Sequence, residues 1–504
     1  LLPSQLKINQ SSAFKVKKLC RFIDSTHHPL TTLARIRTPK TISYISDMMP
    51  RLWIAFAFLF WCASCGHAPP SLASNKEAAA SWKPSTYLES QSAKNDSSIN
   101  FSLYLPSSFS ESGPNKMIVF LDAQGDGKLP VSRYKTLADR YGFILMGSLN
   151  SKNGLPFQAH QRIFKVLQSE ALDRFHVPAS QLAIAGFSGG ARVAAMLAQG
   201  DSAINAVMGC GAGFNPTKTD GFSYYGLVGQ GDFNFQEFWS LGALLREGNK
   251  PHHLATFPGA HHWPPVVAMD SAFLFVGKRM EPLDSSDVYL NSVLQQDSPS
   301  TDMNNITRVQ HLRFALGCLQ GKVNTSELEQ RLHECMRSPS WLTHERSIQF
   351  ELTSESNQRE KYGRLLQTAT LEIWELEAAR LQKQAVQLPK PEAWTAKRIL
   401  GYLSLSCYMY ANQAMAAGDW STADHYVGVY AKVDATNSEH AYLKAVIEAR
   451  MGRSALPFLS LANDLGFRDV QRVQNEPAFF SLQGNPSFQA LLNNMKSNPP
   501  PPPK

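Results

Sequence analysis

Between residues 99 and 280, short apolar runs alternate with stretches whose apolar residues recur at helical spacing. The runs are Met117–Leu121, Phe143–Met146, Leu182–Ala185, Ala206–Met208, Tyr224–Val228 and Leu254–Phe257. Most are continuous rather than alternating, the pattern of strands covered on both faces. Ile163, Val166, Leu167 and Ala171 follow i, i+3, i+4, i+8 spacing, and Val193, Met196 and Leu197 repeat it. Strand, helix and strand at this spacing predict right-handed crossovers and a mainly parallel sheet, so the fold class is α/β. Such sheets carry their chemistry at the carboxyl ends of the strands.

Beyond this segment the period changes. Residues 281–304 are rich in Ser, Asp, Asn and Gln and read as a linker. From 305 to 494 the apolar spacing is helical throughout, which predicts an all-α domain. Gly418 and Gly452 stand 34 residues apart, as do Ala411 and Ala445, and 34 is the tetratricopeptide period. The second unit departs from that pattern at Pro457, where a small residue is expected. Helices such as Lys361–Gln384 would cap so short a repeat. The region reads either as a docking surface for a protein partner or as an architectural spacer. Trp420, Tyr426 and Tyr430 offer an aromatic face for the first and core packing for the second. Residues 495–504 form a Pro-rich tail.

The front end has a different pattern. Met49, Pro50 and Arg51 precede an unbroken apolar run of eleven, Leu52 to Cys62. That run is too short to span a bilayer, which takes about twenty residues, and fits the core of an export signal. Ala63, Ser64 and Cys65 follow, and residues 48–65 resemble a bacterial lipoprotein signal with Cys65 as the acylated residue. Cys62 stands where that signal has an aliphatic residue. Residues 1–47 read as an upstream extension absent from the mature protein. Residues 66–98 read as a flexible tether. The expected location is the bacterial cell envelope, with a lipid anchor in the membrane.

Charge narrows the choice of partner. The net charge is +8, but residues 1–51 alone carry +7, so the remainder is nearly neutral. A near-neutral body has no broad basic field for phosphates, and no nucleic-acid partner is expected. Seven cysteines are too few for a disulfide scaffold, although an oxidising envelope would allow Cys318 and Cys335 to pair.

Candidate chemistry gathers after the strands. Gly186-Phe187-Ser188-Gly189-Gly190 is a G-x-S-x-G motif placed directly after a buried strand and before a helix. That context marks a nucleophile elbow with Ser188 at its tip. A serine hydroxyl needs a base, and the base needs an orienting carboxylate. Asp232 follows strand Tyr224–Val228, and His261 follows strand Leu254–Phe257, in the order this type of site requires. The rival base is His262. The oxyanion hole is expected from the N–H of Gly189 and from the Ala123 or Gln124 amide in Asp122–Gly127. That loop partly mimics a calcium-binding loop, but Arg133 occupies the position of the required glutamate. No metal site is expected. Asn153, in the loop Ser151–Gly154, together with Phe187, His262 and Trp263, is expected around the substrate.

Gly-Phe-Ser-Gly-Gly, the Gly231-Asp232-Phe233-Asn234 segment and Gly259-Ala260-His261-His262-Trp263-Pro264 resemble the polyhydroxybutyrate depolymerase-like and feruloyl-esterase-like group of α/β-hydrolase serine esterases. The resemblance covers residues 99–280. It implies an α/β-hydrolase sheet and ester hydrolysis through an acyl-enzyme, without a cofactor. The departure is the missing His-Gly-Gly pattern in the oxyanion loop. A serine peptidase would use the same residues, and a catalytically inactive surface lipoprotein binding a protein or glycan is the reading of another class.

Overall fold

The computed structural model describes residues 82–218, 220–297 and 303–497. The signal segment, Cys65 and the extension before it lie outside these residues. The body opens with β1 (Tyr87–Ser92), β2 (Asn100–Tyr104) and β3 (Lys116–Leu121). Helices α1 (Lys128–Arg133) and α2 (Lys135–Tyr141) lead to β4 (Phe143–Ser148). Then come α3 (Phe157–Phe175), β5 (Leu182–Phe187), α4 (Gly189–Gly200), β6 (Ala206–Cys210), β7 (Ser223–Gly229), α5 (Phe235–Glu247) and β8 (His252–Phe257).

These eight strands form one sheet in the order β1-β2-β4-β3-β5-β6-β7-β8. The six from β4 to β8 are parallel, and β1 and β2 are antiparallel additions at one edge. All six expected strands are present. β1 and β2 are additional, so residues 82–98, expected within a tether, belong to the folded body. β1 was hidden because its Leu-Glu-Ser-Gln sequence is largely polar, as suits an edge strand with solvent on one side.

Both sheet faces are covered, which explains the continuous apolar strands. On one face Ile163 and Leu167 of α3, Ala194 and Leu197 of α4, and Leu241 and Leu245 of α5 form the core. On the other, Tyr134 and Leu137 pack with Met269 and Phe273 of α6 (Val266–Met280).

That second core does not stop at residue 280. Helix α7 (Leu283–Gln296) occupies most of the expected linker and buries Val293 in it. Tyr289, Leu290, Val293 and Leu294 make one apolar stripe that the polar composition around them disguises. Helices α8 (Asn305–Leu319) and α9 (Ser326–Met336) add Leu312, Cys318, Leu328 and Cys335 to the same core. A Cβ on Gly317 would lie 2.4 Å from His252 O, so α8 closes directly over the edge strand β8. The first helices of the expected all-α domain are therefore part of the core that covers the sheet. Cys318 and Cys335 are buried free thiols and do not pair.

The remaining helices are α10 (Pro339–Thr368), α11 (Leu371–Ala385), α12 (Pro391–Ala416), α13 (Trp420–Val433), α14 (Ser438–Arg450), α15 (Leu456–Asp464), α16 (Val470–Asn475) and α17 (Pro486–Ser497). Gly418 and Gly452 occupy matching positions just beyond the ends of α12 and α14, with φ of 75° and 73°. Their N–H groups return to Met415 O and Ala449 O, and the next residues to Ala414 O and Glu448 O. The 34-residue spacing thus marks two equivalent helix stops that need a left-handed residue. Tyr430 is core, Tyr426 packs against the same core, and Trp420 packs partly buried against the neighbouring one.

Candidate active site

The site forms where β5, β7 and β8 end on the same edge of the sheet. Ser188 lies between β5 and α4 with φ 55° and ψ −121°, a conformation that non-glycine residues hold at a cost of about 1–3 kcal/mol. The turn is possible because Gly186 and Gly190, two residues away on either side, have no side chains. A Cβ on Gly186 would lie 2.2 Å from Gly190 O, and one on Gly190 would lie 2.2 Å from Leu121 O. The Ser188 N–H donates to Cys210 O at 2.8 Å, which ties the turn to β6.

Three of the predicted residues meet in a chain. His261 Nε2 lies 2.9 Å from Ser188 Oγ, and His261 Nδ1 lies 2.9 Å from Asp232 Oδ2. Asp232 is buried at 1% exposure, and its other oxygen accepts the Asn234 N–H at 2.8 Å. The acid loop is pinned to the histidine loop by Gln230 N–H to Phe257 O at 2.9 Å and Gly231 N–H to Gly259 O at 2.8 Å. His262 does not compete for Ser188: its Nδ1 sits 2.8 Å from Trp263 O, and the residue is exposed on the rim.

The oxyanion donors separate. Gly189 is the first residue of α4, where an N–H has no acceptor within the helix. In the facing loop the Gln124 N–H donates to Asp122 Oδ1 at 2.7 Å, so Gln124 is already committed. The Ala123 N–H has no acceptor among the described residues, so it is the free amide of the two. Asp122 is the residue that makes this distinction. Its Oδ2 also accepts Trp263 Nε1 at 2.8 Å, so the carboxylate joins two loops.

Of the residues expected around the substrate, Asn153 reaches the serine turn from another loop. Its side-chain oxygen covers Gly189, where a Cβ would approach it to 1.9 Å, and its N–H donates to Ala123 O at 2.9 Å. The start of its loop is anchored by buried Ser151, whose Oγ is 2.8 Å from His160 Nδ1. Burial holds the His160 imidazole below its ordinary pKa. Trp263 is not a pocket wall: it is 2% exposed, because its ring fills core space under the site. Phe187 packs between it and His261, with ring centroids 5.5 and 4.7 Å away. Phe233, which sequence reasoning quoted without a role, lies on another side of His261 at 4.2 Å. The imidazole is thus held between two phenylalanine rings. An aromatic residue directly after each of Asp232 and Gly186 was the available signal.

No family model and no curated protein matches the chain. Solved structures do. The S-formylglutathione hydrolase of Staphylococcus aureus is 14% identical, over 38% of this chain and 96% of that one, with a TM-score of 0.32. A ferulic acid esterase is 17% identical over 39% and 97%, at a TM-score of 0.32. A fluorophosphonate-binding serine hydrolase of Staphylococcus aureus is 14% identical over 38% and 99%, again at 0.32. They are likenesses only; the chain itself has a mostly parallel, eight-stranded sheet followed by helices.

Proposed function

We propose that the protein is a serine ester hydrolase with Ser188 as nucleophile, His261 as base and Asp232 as its orienting carboxylate. The observation that carries the reading is the pair of 2.9 Å hydrogen bonds linking these side chains at a strained elbow. Ser188 Oγ attacks the ester carbonyl while His261 Nε2 takes its proton. The resulting oxyanion lies between the N–H groups of Gly189 and Ala123. As the tetrahedral adduct collapses, the alkoxide leaves with the proton from His261, and the acyl group stays on Ser188. Water then repeats the sequence, releasing the acid and restoring the serine.

The substrate is proposed as an extracytoplasmic ester, polymer- or polysaccharide-linked. The motif resemblance supports the ester, and the signal pattern ending at Cys65 supports export and lipid anchoring. The spacing of Gly418 and Gly452 supports a tetratricopeptide-like reading of the helices.

The test is labelling of the purified chain with a fluorophosphonate, peptide mapping, and turnover of a small aryl ester beside the matching amide. Labelling at Ser188, its absence in His261→Ala, and faster ester than amide cleavage are expected. No label on folded protein would refute the hydrolase reading and favour a binding protein. Preferred amide cleavage would replace it by a peptidase.

A further inference from the structure

The helices after the sheet reach the active site. Two backbone carbonyls, one on each side of Asp232, are taken by arginines from them. Arg398 of α12 donates from Nη1 to Gln230 O at 2.6 Å, and Arg359 of α10 donates from Nη2 to Phe233 O at 2.7 Å. Glu355 holds both guanidiniums, through Arg398 Nε at 2.5 Å and Arg359 Nε at 3.0 Å. Its side chain is fully buried, and that of Arg398 is 1% exposed. Glu351 accepts from Arg398 Nη2 at 2.5 Å, which balances the charges of the cluster.

Packing repeats the same link. A Cβ on Gly231 would lie 3.2 Å from Trp394 and Lys397 of α12, and one on Gly401 would lie 3.1 Å from the Phe233 ring. Phe233 in turn rests on His261. A path of direct contacts therefore runs from α12 through Phe233 to the imidazole.

A buried ion cluster is a poor way to gain stability, because desolvation offsets the attraction. Its use here is directional. Rigid, forked guanidiniums fix the Gln230 and Phe233 carbonyls of a loop whose Gln230 and Gly231 amides are held by the histidine loop. We propose that Arg398 and Arg359 are positioning residues: the helical region fixes the Asp232 loop and, through Phe233, the ring of His261. The inference rests on the ester-hydrolase reading. It makes α10 and α12 a structural half of the active site rather than a detachable spacer.

The test compares Arg359→Gln, Arg359→Lys and Gly401→Ala in the full chain. Folding is checked by thermal melts, and chemistry by aryl-ester kinetics and the rate of fluorophosphonate labelling. In Arg359→Gln, kcat should fall roughly 10- to 100-fold with KM within about twofold, the scale of a small misplacement of reacting groups. Arg359→Lys, which keeps a donor for Phe233 O, should recover most of that loss. On an Asp232→Asn background, Arg359→Gln should cost less than it does alone, because the part of its effect that passes through the carboxylate is already removed. Gly401→Ala leaves the ion cluster intact and decides the matter if Arg359→Gln does not fold. It should lower kcat by roughly threefold or more, through displacement of Phe233. Wild-type kcat and labelling in the folded variants, or a full multiplicative loss on the Asp232→Asn background, would overturn the positioning role alone. Absence of any label on the wild-type chain would instead overturn the hydrolase reading beneath it.

Discussion

Trp263 Nε1 donates to Asp122 Oδ2 at 2.8 Å, joining two loops separated by 141 residues. One of these loops carries His261, and the other presents the Ala123 N–H. The tryptophan is 2% and the aspartate 6% exposed, so neither has water as an alternative partner. The proposed base and the proposed oxyanion donor are thereby tied together by a buried hydrogen bond.

Asp122→Ala leaves the indole N–H without an acceptor and frees the Gln124 amide. The expected loss is about 1–3 kcal/mol of stability, the cost of an unmade buried hydrogen bond. A fall in kcat of roughly 10-fold or more should accompany it, the range seen when oxyanion donors are disturbed. Denaturant melts and steady-state kinetics on the same preparation check both. Asp122→Asn, which retains an acceptor oxygen, should lose less stability.

The two adjacent histidines should respond oppositely. His261→Ala should reduce kcat by roughly a thousandfold or more, since it removes the base. His262→Ala should stay within about threefold of wild type, because an exposed rim residue supplies no proton transfer. Comparable losses in both variants would show that the base had been assigned to the wrong ring.

Gly190 is fixed by contact rather than by its dihedral angles. An alanine Cβ there would press to 2.2 Å on Leu121 O, a backbone atom with nowhere to move inside the sheet. Gly190→Ala should cost more than about 3 kcal/mol, at the upper end of overpacking effects. Loss of soluble protein or a strongly lowered melting temperature would register this. Gly484→Ala, where the added carbon meets nothing within 4 Å, is the control.

His253 lies between Tyr225 and Phe314, each 5.3 Å away by ring centroids. Burial pushes its pKa from 6.5 down to about 3. The unfolded chain therefore binds a proton that the folded chain refuses between these values. The contribution is intact above pH 6.5 and is lost as the pH falls toward about 3. His253→Phe keeps the ring packing and removes the titration, so its melting temperature should drop less than that of wild type between pH 7 and pH 4.5. An equal drop in both would assign the acid sensitivity elsewhere.

The sequence by itself determined the parts that local patterning controls. Continuous apolar runs specified strands buried on both faces. The glycines around Ser188 specified a turn that admits no Cβ. The order of Ser188, Asp232 and His261, each just past a strand, placed them on one edge because parallel strands share a direction. What tertiary structure alone decided depends on contacts between distant segments. Ala123 and Gln124 are adjacent amides with equal claims in sequence, and only the position of the Asp122 carboxylate commits one of them. Trp263 reads as a pocket residue beside His261, yet its indole is drawn into the core by an aspartate 141 residues away. The stripe on α7 was masked by polar neighbours, and β1 by the polarity of an edge strand. The hold of Arg359 and Arg398 on the Asp232 loop had no local signature. A buried arginine has the same letter as a solvated one, and its burial follows from which helices pack against which loop.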